Sequence, residues 1–323
     1  MKLTILIPTY NRVRYLKKNI EMLDYYITNN ELENTVKILV SNNFSTDETR
    51  KTLEILKSSI KSELIIYNQN LNIGLEKNAL FVLEKCETPF VMYLGDDDYI
   101  KEEYLVQVIK SIEDDNKIGC IIPSYISVDY EGNELIPRVG RDFDLPTKLY
   151  LKGFSNCLEN SIRGHQLSGL VLKNEGLFRI YKEQNVNNLY PFIYFTSYCC
   201  LNYSTLHLTF SPVYVTAAIQ KDKDWGYGKD GLIPHIFDNY QKIKGISYYQ
   251  KFLLQKKVIV SQSWRYFIYL QHGKINFIRS LFLIIISKRT NWITKFYLPV
   301  FVTMFYFNSL GRKLRVKSKI IPN

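Results

Sequence analysis

Residues 3–9 read LTILIPT, an apolar and largely β-branched run that ends at Pro8 and Thr9. A run of this length and composition predicts a buried strand, with a loop that begins at the proline. Further along the chain, strand patterns at 36–40, 63–67 and 89–94 alternate with helical patterns at 13–29, 48–59 (with Ser45 or Thr46 as its N-cap) and 75–86. This alternation predicts a parallel sheet with helices on both faces, in which ligands bind beyond the carboxyl ends of the strands.

The pattern becomes looser after about residue 119. Strand patterns recur at 120–128, 168–172 and 206–217, with helical patterns at 174–182 and 192–202. A turn-rich stretch at 221–231 is followed by a region that is helical and amphipathic in pattern. The sequence therefore predicts an α/β domain over residues 1–220 and a basic, aromatic-rich helical region over residues 221–323.

The charge is divided unevenly between these two regions. The chain has 323 residues and a formal net charge of +11. From Asn239 to Asn323 there are 16 Lys or Arg residues and no Asp or Glu, whereas the first 238 residues carry 26 basic and 31 acidic side chains. A uniformly basic surface is thereby excluded, and two segments with different tasks are expected.

The five cysteines are odd in number and contain no C-x-x-C spacing. This usage predicts buried free thiols in a reducing compartment rather than a disulfide framework or a zinc site. The apolar run at residues 3–7 is too short for the core of a signal peptide. No apolar run reaches the ~18 residues that a transmembrane helix needs.

Three consecutive carboxylates, Asp96, Asp97 and Asp98, follow the apolar strand predicted at 89–94. We call residues 95–98, which read GDDD, the Asp motif. Hard cations such as Mg²⁺ or Mn²⁺ bind carboxylate oxygens together with the oxygens of a diphosphate. The residues alone leave a second interpretation open, in which the motif is a solvated acidic turn that precedes a helix.

Four segments of the chain together resemble family 2 glycosyltransferases, which have the GT-A fold. Residues 3–12 (LTILIPTYNR), 38–47 (ILVSNNFSTD) and 70–78 (NLNIGLEKN) precede the Asp motif in the order that the family shows, within residues 1–130. The set is similar to bacterial enzymes that build O-antigen, capsule or teichoic-acid glycans. The resemblance implies a Rossmann-like, mostly parallel sheet and the transfer, with inversion, of a sugar from a nucleotide donor to a lipid-linked surface glycan.

The resemblance also implies roles for nine residues. Those expected to contact the nucleotide sugar are Pro8, Thr9, Arg12, Asn42, Lys77, Asp96 and Asp97. Asp98 is expected to be the catalytic metal ligand, with Asp96 as a second ligand of Mg²⁺ or Mn²⁺. Asn78 is expected to brace the loop that carries Lys77. The residues by themselves leave open that Arg12 and Lys77 are solvated charges near helix starts.

Two departures from the family pattern affect these expectations. Asn42 stands where the family usually has an Asp that accepts a hydrogen bond from a uracil or thymine imide, and because Asn also donates, the base of the donor is left open. The family's Glu-Asp pair, which supplies the general base, is absent from residues 187–192 (NNLYPF). The candidates for a substitute base are Glu183, His165 and Asp224, although His165 also fits a structural loop role.

The basic region contains apolar segments at 277–287 and 296–307 and a cationic end at 311–319. Interleaved apolar, aromatic and cationic residues favour helices that lie in the headgroup layer of a membrane, where each cation contributes ~1 kcal/mol. We therefore expect a cytoplasmic enzyme attached to the inner face of the cell membrane, with no nucleic acid partner. A packed helical domain with a solvated basic rim, and a nucleic-acid arm, are the alternatives.

Two other functions are compatible with the sequence. A nucleotidyltransferase also pairs carboxylates with a metal on an α/β sheet. A degenerate, non-catalytic glycosyltransferase that acts as a membrane scaffold would account for Asn42 and for the missing Glu-Asp pair.

Overall fold

The computed structural model describes residues 1–129, 131–217 and 228–318, the last stretch as backbone alone beyond residue 305. The chain divides into two compact units, Met1–Asp224 and Trp225–Asn323. The predicted domain boundary at residue 220 lies outside the described residues.

The first unit contains one sheet. Its strands are β1 (Leu3–Thr9), β2 (Val36–Asn42), β3 (Leu64–Asn68), β4 (Phe90–Tyr93), β5 (Ile118–Val128), β6 (Gly140–Arg141), β7 (Lys148–Tyr150), β8 (Val171–Lys173) and β9 (Ser204–Thr216). The helices are α1 (Val13–Asn29), α2 (Thr49–Ser59), α3 (Leu75–Glu84), α4 (Glu102–Asp114), α5 (Phe154–Asn160), α6 (Leu177–Glu183) and α7 (Pro191–Asn202), with a 3₁₀ helix at Ser161–His165. The predicted alternation of strands and helices is confirmed.

The strand order is β3-β2-β1-β4-β8-β5-β9-β7, and β6 pairs with β5. The long pairings are parallel: β1 with β2 and β4, β2 with β3, and β5 with β9. The antiparallel pairings, such as those that β8 makes with β4 and β5, cover only two or three residues each. The predicted mostly parallel α/β sheet is therefore confirmed.

The position of β1 in the sheet determines where the predicted site residues meet. All seven residues of β1 are buried, as expected for a strand with helices on both faces. Thr9 pairs with Asn42 at the end of β2, and Leu6 pairs with Tyr93 at the end of β4. Because parallel strands end at the same edge, the loops after β1, β2 and β4 lie side by side.

The loop after β2 does not provide the N-cap that the sequence predicts for α2. Ser45 and Thr46 are candidate N-caps of α2 by sequence, but α2 begins at Thr49, whose backbone N–H donates to Asp47 Oδ1 at 3.1 Å. Ser45 Oγ instead accepts from the backbone N–H of Asn11 at 2.9 Å, and the N–H of Thr46 donates to Asn11 Oδ1 at 2.8 Å. These residues therefore connect the loops after β1 and β2 and do not cap a helix.

The second unit is helical in the described residues, as predicted. Its helices are α8 (Ile233–Lys242), α9 (Tyr248–Ser261), α10 (Trp264–Phe267), α11 (Lys274–Ile286) and α12 (Trp292–Ser318), with a 3₁₀ helix at Ile268–His272. None of the helices in the described part of the chain combines the length and the apolar character that spanning a membrane requires. All five cysteines, which lie in the first unit, are buried and unpaired as predicted.

The amide of Asn19 links α1 to the Asp motif. Asn19 is buried, and its Nδ2 donates to the carbonyl oxygens of Gly95 at 3.1 Å and Asp98 at 2.8 Å. We predict that Asn19→Ala lowers the free energy of unfolding by about 1–3 kcal/mol, because two backbone carbonyls lose their donor. Urea denaturation measures this loss. Arg14→Ala, at an exposed position of the same helix, should cost about 0.5 kcal/mol or less, and equal losses in both variants would contradict the proposed role of Asn19.

Candidate functional site

The Asp motif meets the end of β1 and the start of α1. Thr9 Oγ1 donates a hydrogen bond to Asp96 Oδ2 at 2.7 Å, and Arg12 Nη1 donates to Asp97 Oδ2 at 2.8 Å. The Arg12–Asp97 ion pair is largely shielded from solvent. Four of the residues assigned to the site by sequence are thus joined directly. The interpretation of Arg12 as a solvated helix-start charge is excluded, since its guanidinium is paired.

Asp98 is buried and accepts hydrogen bonds on both carboxylate oxygens. Its Oδ2 accepts from Ser168 Oγ at 2.5 Å and from Gln166 Nε2 at 3.4 Å, and its Oδ1 accepts from the backbone N–H of Thr216 at 2.9 Å. The Thr216 hydroxyl also donates to the carbonyl oxygen of Asp97. The third carboxylate of the motif is therefore held by segments that precede β8 and end β9.

Sequence reasoning did not assign Ser168 or Thr216 to the site. They lie 70 and 118 positions from Asp98 in the chain, and neither belongs to a recognisable motif. Their proximity follows from β8 lying beside β4 and from the backbone bonds between Tyr99 and Tyr214, which bring the end of β9 to the motif.

The carboxylates affect one another electrostatically. Burial, and then the negative charge of Asp97, raise the pKa of Asp96 from the ordinary 3.8 to about 7. The hydrogen bond from Thr9 and the charge of Arg12 lower the pKa but do not offset these effects. A nearby cation would therefore stabilise the charged form of Asp96.

The carboxylates of the Asp motif offer oxygen donors for a divalent cation. Among the described residues, no cluster of three or more His, Cys, Asp or Glu side chains is arranged as a metal site. Magnesium usually binds through one or two carboxylates together with substrate phosphates and water, so a complete protein cage is not needed. The all-oxygen donor set and the raised pKa of Asp96 fit such a cation, whereas a cation at Asp98 would share oxygens already bonded to Ser168 and Thr216.

Asn42 lies at the end of β2 with both ends of its amide bonded. Its Oδ1 accepts from the backbone N–H of Ser45 at 3.0 Å, and its Nδ2 donates to Asn68 Oδ1 at 2.9 Å. Neighbouring side chains therefore set the orientation of this amide. Pro8 is buried within β1, where it pairs with Ser41 of β2.

The loop before α3 is attached to β2 by Asn78. Ser41 Oγ donates to Asn78 Oδ1 at 2.6 Å, and Asn78 Nδ2 donates to the Ser41 carbonyl oxygen at 3.0 Å. This reciprocal pair is the bracing contact that the family resemblance implies. Lys77, one residue earlier, is exposed in the first turn of α3 and makes no salt bridge with a described residue.

The three candidates for a substitute base lie in different surroundings. Glu183 is exposed and pairs with Arg179 across one helical turn at 4.0 Å. Asp224 lies outside the described residues. The ring of His165 is centred 5.1 Å from that of Tyr190, and the next residue, Gln166, contacts Asp98. Of these candidates, His165 belongs to the segment that reaches the Asp motif.

An acid that sequence reasoning missed lies beside the acid-free stretch 187–192. Glu76, in the first turn of α3, is partly buried, accepts a hydrogen bond from the backbone N–H of Asn188, and accepts another from the Tyr181 hydroxyl at 3.4 Å. Burial raises the pKa of Glu76 above its usual value. Glu76 and His165 therefore border the same loop, from α3 and from the 3₁₀ helix.

Comparison with solved structures identifies the fold. Residues along 88% of this chain superpose on 80% of Staphylococcus aureus TarS 1–349 in complex with UDP-GlcNAc, with a TM-score of 0.67 and 17% identity. A mannosyltransferase from Pyrobaculum calidifontis, in complex with GDP-Man and Mn²⁺, matches 92% of this chain and 84% of its own with a TM-score of 0.53 and 12% identity. Together with the sheet described above, these likenesses confirm the GT-A-like α/β fold.

The family follows from the sequence profile described as glycosyl transferase family 2. It matches residues 4–168, slightly more than half of the chain, and the chain therefore belongs to this family. Curated relatives include the abequosyltransferase RfbV of Salmonella typhimurium, 26% identical over 105 residues, which are 32% of this chain and 31% of the relative. A Campylobacter jejuni GalNAc(5)-diNAcBac-PP-undecaprenol beta-1,3-glucosyltransferase is 31% identical over 97 residues, or 30% of each chain. The chain thus spans less than a third of the length of these relatives.

The raised pKa of Asp96 predicts a pH dependence of stability. Because the folded protein holds this proton more tightly than the unfolded chain, the contribution of Asp96 to stability is present below pH ~4 and is lost as the pH rises through about 7. In metal-free buffer we expect Asp96→Asn to reduce the fall in melting temperature over this range. Asp114→Asn, at an exposed position of α4, should keep the wild-type slope. An unchanged slope in the Asp96 variant would show that other groups cause the dependence.

Proposed function

We propose that this protein transfers a sugar from a nucleotide-sugar donor to a bacterial surface glycan. One observation carries the proposal: the Asp motif lies at the carboxyl edge of a GT-A-like sheet, bonded to Thr9 and Arg12. Family membership supports this assignment, as do bacterial relatives named as an abequosyltransferase and as a glucosyltransferase of an undecaprenol-linked glycan. Further support comes from the fold likeness to a structure that contains UDP-GlcNAc.

The donor site is proposed to follow the edge of the sheet from β2 to β4. Pro8, Thr9, Arg12 and Asn42 would line the nucleoside, and Lys77 would pair with the diphosphate. Lys77 suits this role because it is exposed and makes no salt bridge with a described residue. The fixed amide of Asn42 can accept or donate, which is compatible with more than one base.

Asp96 and Asp98 would hold a Mg²⁺ or Mn²⁺ ion, and the likeness to a fold neighbour with bound Mn²⁺ supports this assignment. Such a cation neutralises charge that develops on the departing diphosphate. Hydrogen bonds within the protein hold both carboxylates in position. Thr9 orients Asp96, while Ser168 and Thr216 hold Asp98, so little rearrangement is required when the donor binds.

An inverting transfer is a single displacement at the anomeric carbon, and the acceptor hydroxyl must lose its proton to a nearby base. His165 and Glu76 are the titratable groups described above that border the loop at 187–192. The raised pKa of Glu76 is the kind of shift that suits a general base.

The acceptor is proposed to be lipid-linked, with the enzyme at the inner face of the cell membrane. The Campylobacter jejuni relative acts, by its name, on an undecaprenol-linked glycan, which supports this class of acceptor. The composition of the second unit also supports a location at the membrane, because residues 239–323 contain 16 basic residues and no acidic ones.

A donor panel tests the function. Purified full-length protein is incubated with UDP-, GDP-, and dTDP-sugars and Mn²⁺, and the released products are identified. Release of a nucleoside diphosphate supports a glycosyltransferase, whereas release of inorganic diphosphate from nucleoside triphosphates would identify a nucleotidyltransferase. No turnover of any donor would favour the non-catalytic scaffold and contradict the proposal.

We predict that Asp98→Asn lowers the transfer rate by about 100-fold or more, because the amide cannot replace a charged metal ligand. The same loss should follow from excess chelator and be reversed by added Mn²⁺. Asp144→Asn, which removes an exposed charge from the same unit, should leave the rate unchanged. Full activity of the Asp98 variant, or of wild-type protein in chelator, would contradict the metal role.

Lys77→Gln should raise the KM for the nucleotide sugar about tenfold or more, since a charge-assisted contact with the diphosphate is lost. Initial rates at varied donor concentration measure the change. Lys85→Gln, at the other end of α3, is the matched control and should keep the wild-type KM. If Lys77 is a solvated charge that does not contact the donor, the Lys77 and Lys85 variants will have the same KM, and this result would contradict the role given to Lys77.

A further inference from the structure

The second unit contains a cationic cavity that the proposed transfer reaction does not use. The cavity has a volume of about 250 Å³ and is lined by Lys229, Tyr269, His272, Asn276 and Arg279. It is smaller than the ~300–1,000 Å³ that drug-sized ligands usually occupy, so it suits a small group. Two permanently cationic side chains and a histidine converge on it, and no acidic residue is among its lining residues.

The loop that carries Lys229 is held in place by polar contacts within the second unit. The Tyr269 hydroxyl donates to the Gly228 carbonyl oxygen at 2.7 Å and accepts from the Gly231 backbone N–H at 3.1 Å. The buried Arg265 donates from Nη1 to the Gly231 carbonyl oxygen at 3.2 Å. These bonds keep Lys229 at the cavity without using its own charge.

Three side chains at the cavity, Lys229, His272 and Arg279, are exposed and form no salt bridge with a described residue. The acid that follows Lys229 in the chain, Asp230, accepts a hydrogen bond from the backbone N–H of Leu232 at 3.0 Å and also makes no salt bridge with a described residue. A cavity with this donor set is suited to an anion with several acceptor oxygens, such as a phosphate group.

An apolar surface continues from the cavity along α11. Ile275, Ile278, Phe282 and Ile286 are 82%, 64%, 58% and 51% exposed, although they are large apolar residues. Their spacing of three and four residues places them on one face of the helix. Arg279 lies one turn from Ile275 and from Phe282, so the cationic cavity borders this apolar stripe. The stripe on α11 is defined by these four isoleucine and phenylalanine residues.

We propose that the cavity binds the phosphate of a membrane lipid while the α11 stripe enters the bilayer interface. The cationic side chains of the cavity would contact the headgroup of an anionic lipid, and the apolar side chains of the stripe would contact its acyl region. The uniformly basic composition of residues 239–323 supports an anionic bilayer as the partner. The proposal rests on the membrane role given to the second unit and names the site that performs it.

The headgroup contact is tested with the full-length protein. Binding to vesicles of phosphatidylcholine mixed with phosphatidylglycerol is measured by co-sedimentation, with pure phosphatidylcholine vesicles as reference. Lys229→Gln combined with Arg279→Gln should weaken binding to the anionic vesicles about 30-fold. The matched control, Lys244→Gln combined with Lys288→Gln, removes two exposed charges that do not line the cavity and should weaken it about threefold or less. Equal weakening in both double variants would show that the loss of binding comes from net charge alone, and it would overturn the proposed lipid-phosphate site.

The apolar contact needs its own variant. Ile278→Ser combined with Phe282→Ser should weaken vesicle binding at least about tenfold, because apolar area no longer enters the interface. Ile55→Ser combined with Val106→Ser changes exposed apolar residues of the first unit and should have no effect. Wild-type binding by the α11 variant would overturn the membrane contact.

Inorganic phosphate distinguishes a lipid from a soluble anion as the ligand. Titration calorimetry with phosphate should show weak binding that the Lys229 and Arg279 variant loses and the α11 variant keeps. Tight phosphate binding by wild-type protein that shows no preference for anionic vesicles would reassign the cavity to a soluble anion. Donor hydrolysis is measured in parallel. If hydrolysis fails in every variant and in wild type while vesicle binding follows the cavity, the proposed function fails and this inference stands.

Discussion

Three carboxylates on consecutive residues repel one another, and the first unit is organised around holding them at the end of β4. Each carboxylate has its own partner, and the partners come from three segments of the chain: Thr9 and Arg12 from the end of β1 and the loop that follows it, Ser168 from the segment before β8, and Thr216 from the end of β9. Burial of Asp96, and then the negative charge of Asp97, raise the pKa of Asp96 to about 7 despite these donors. The site therefore carries negative charge that its own donors do not fully neutralise. A divalent cation or a cationic group of the substrate would neutralise it.

The topology of the sheet brings the partners of the Asp motif together. The short β8 is inserted between β4 and β5 and runs antiparallel to both, and this arrangement places Ser168 against the Asp motif. The long β9 ends beside the motif at Thr216. On the other side, Asn11 connects the loops after β1 and β2, Asn42 connects the end of β2 to the end of β3, and Asn78 connects β2 to α3. Donors and acceptors are consequently in position before a substrate arrives, which is the arrangement that favours electrostatic stabilisation of a transition state.

The net charge of +11 combines two opposite tendencies. The first 238 residues carry −5, and part of their acidity is concentrated in the Asp motif, where it serves the proposed chemistry. The last 85 residues carry +16, and these cations include Arg279, which lines the cavity and borders the exposed stripe on α11. Under the proposed function, this division would separate the chemistry from attachment to a membrane surface.

The sequence alone predicted the alternating strands and helices of residues 3–94, because hydrophobic periodicity and turn residues act over short distances, but it gave no signal for β6, β7 or α5. It also identified the loops at residues 8–12, 42–47 and 95–98, since strand ends in a parallel sheet share one edge. It could not identify Ser168, Thr216 or Glu76, whose roles depend on contacts with residues far away in the chain. It also misassigned Ser45 and Thr46 as helix caps, because their actual partner, Asn11, is 34 or 35 positions away. Hydrogen bonds of that range arise only when the chain has folded, so the tertiary structure decided which polar side chains hold the Asp motif.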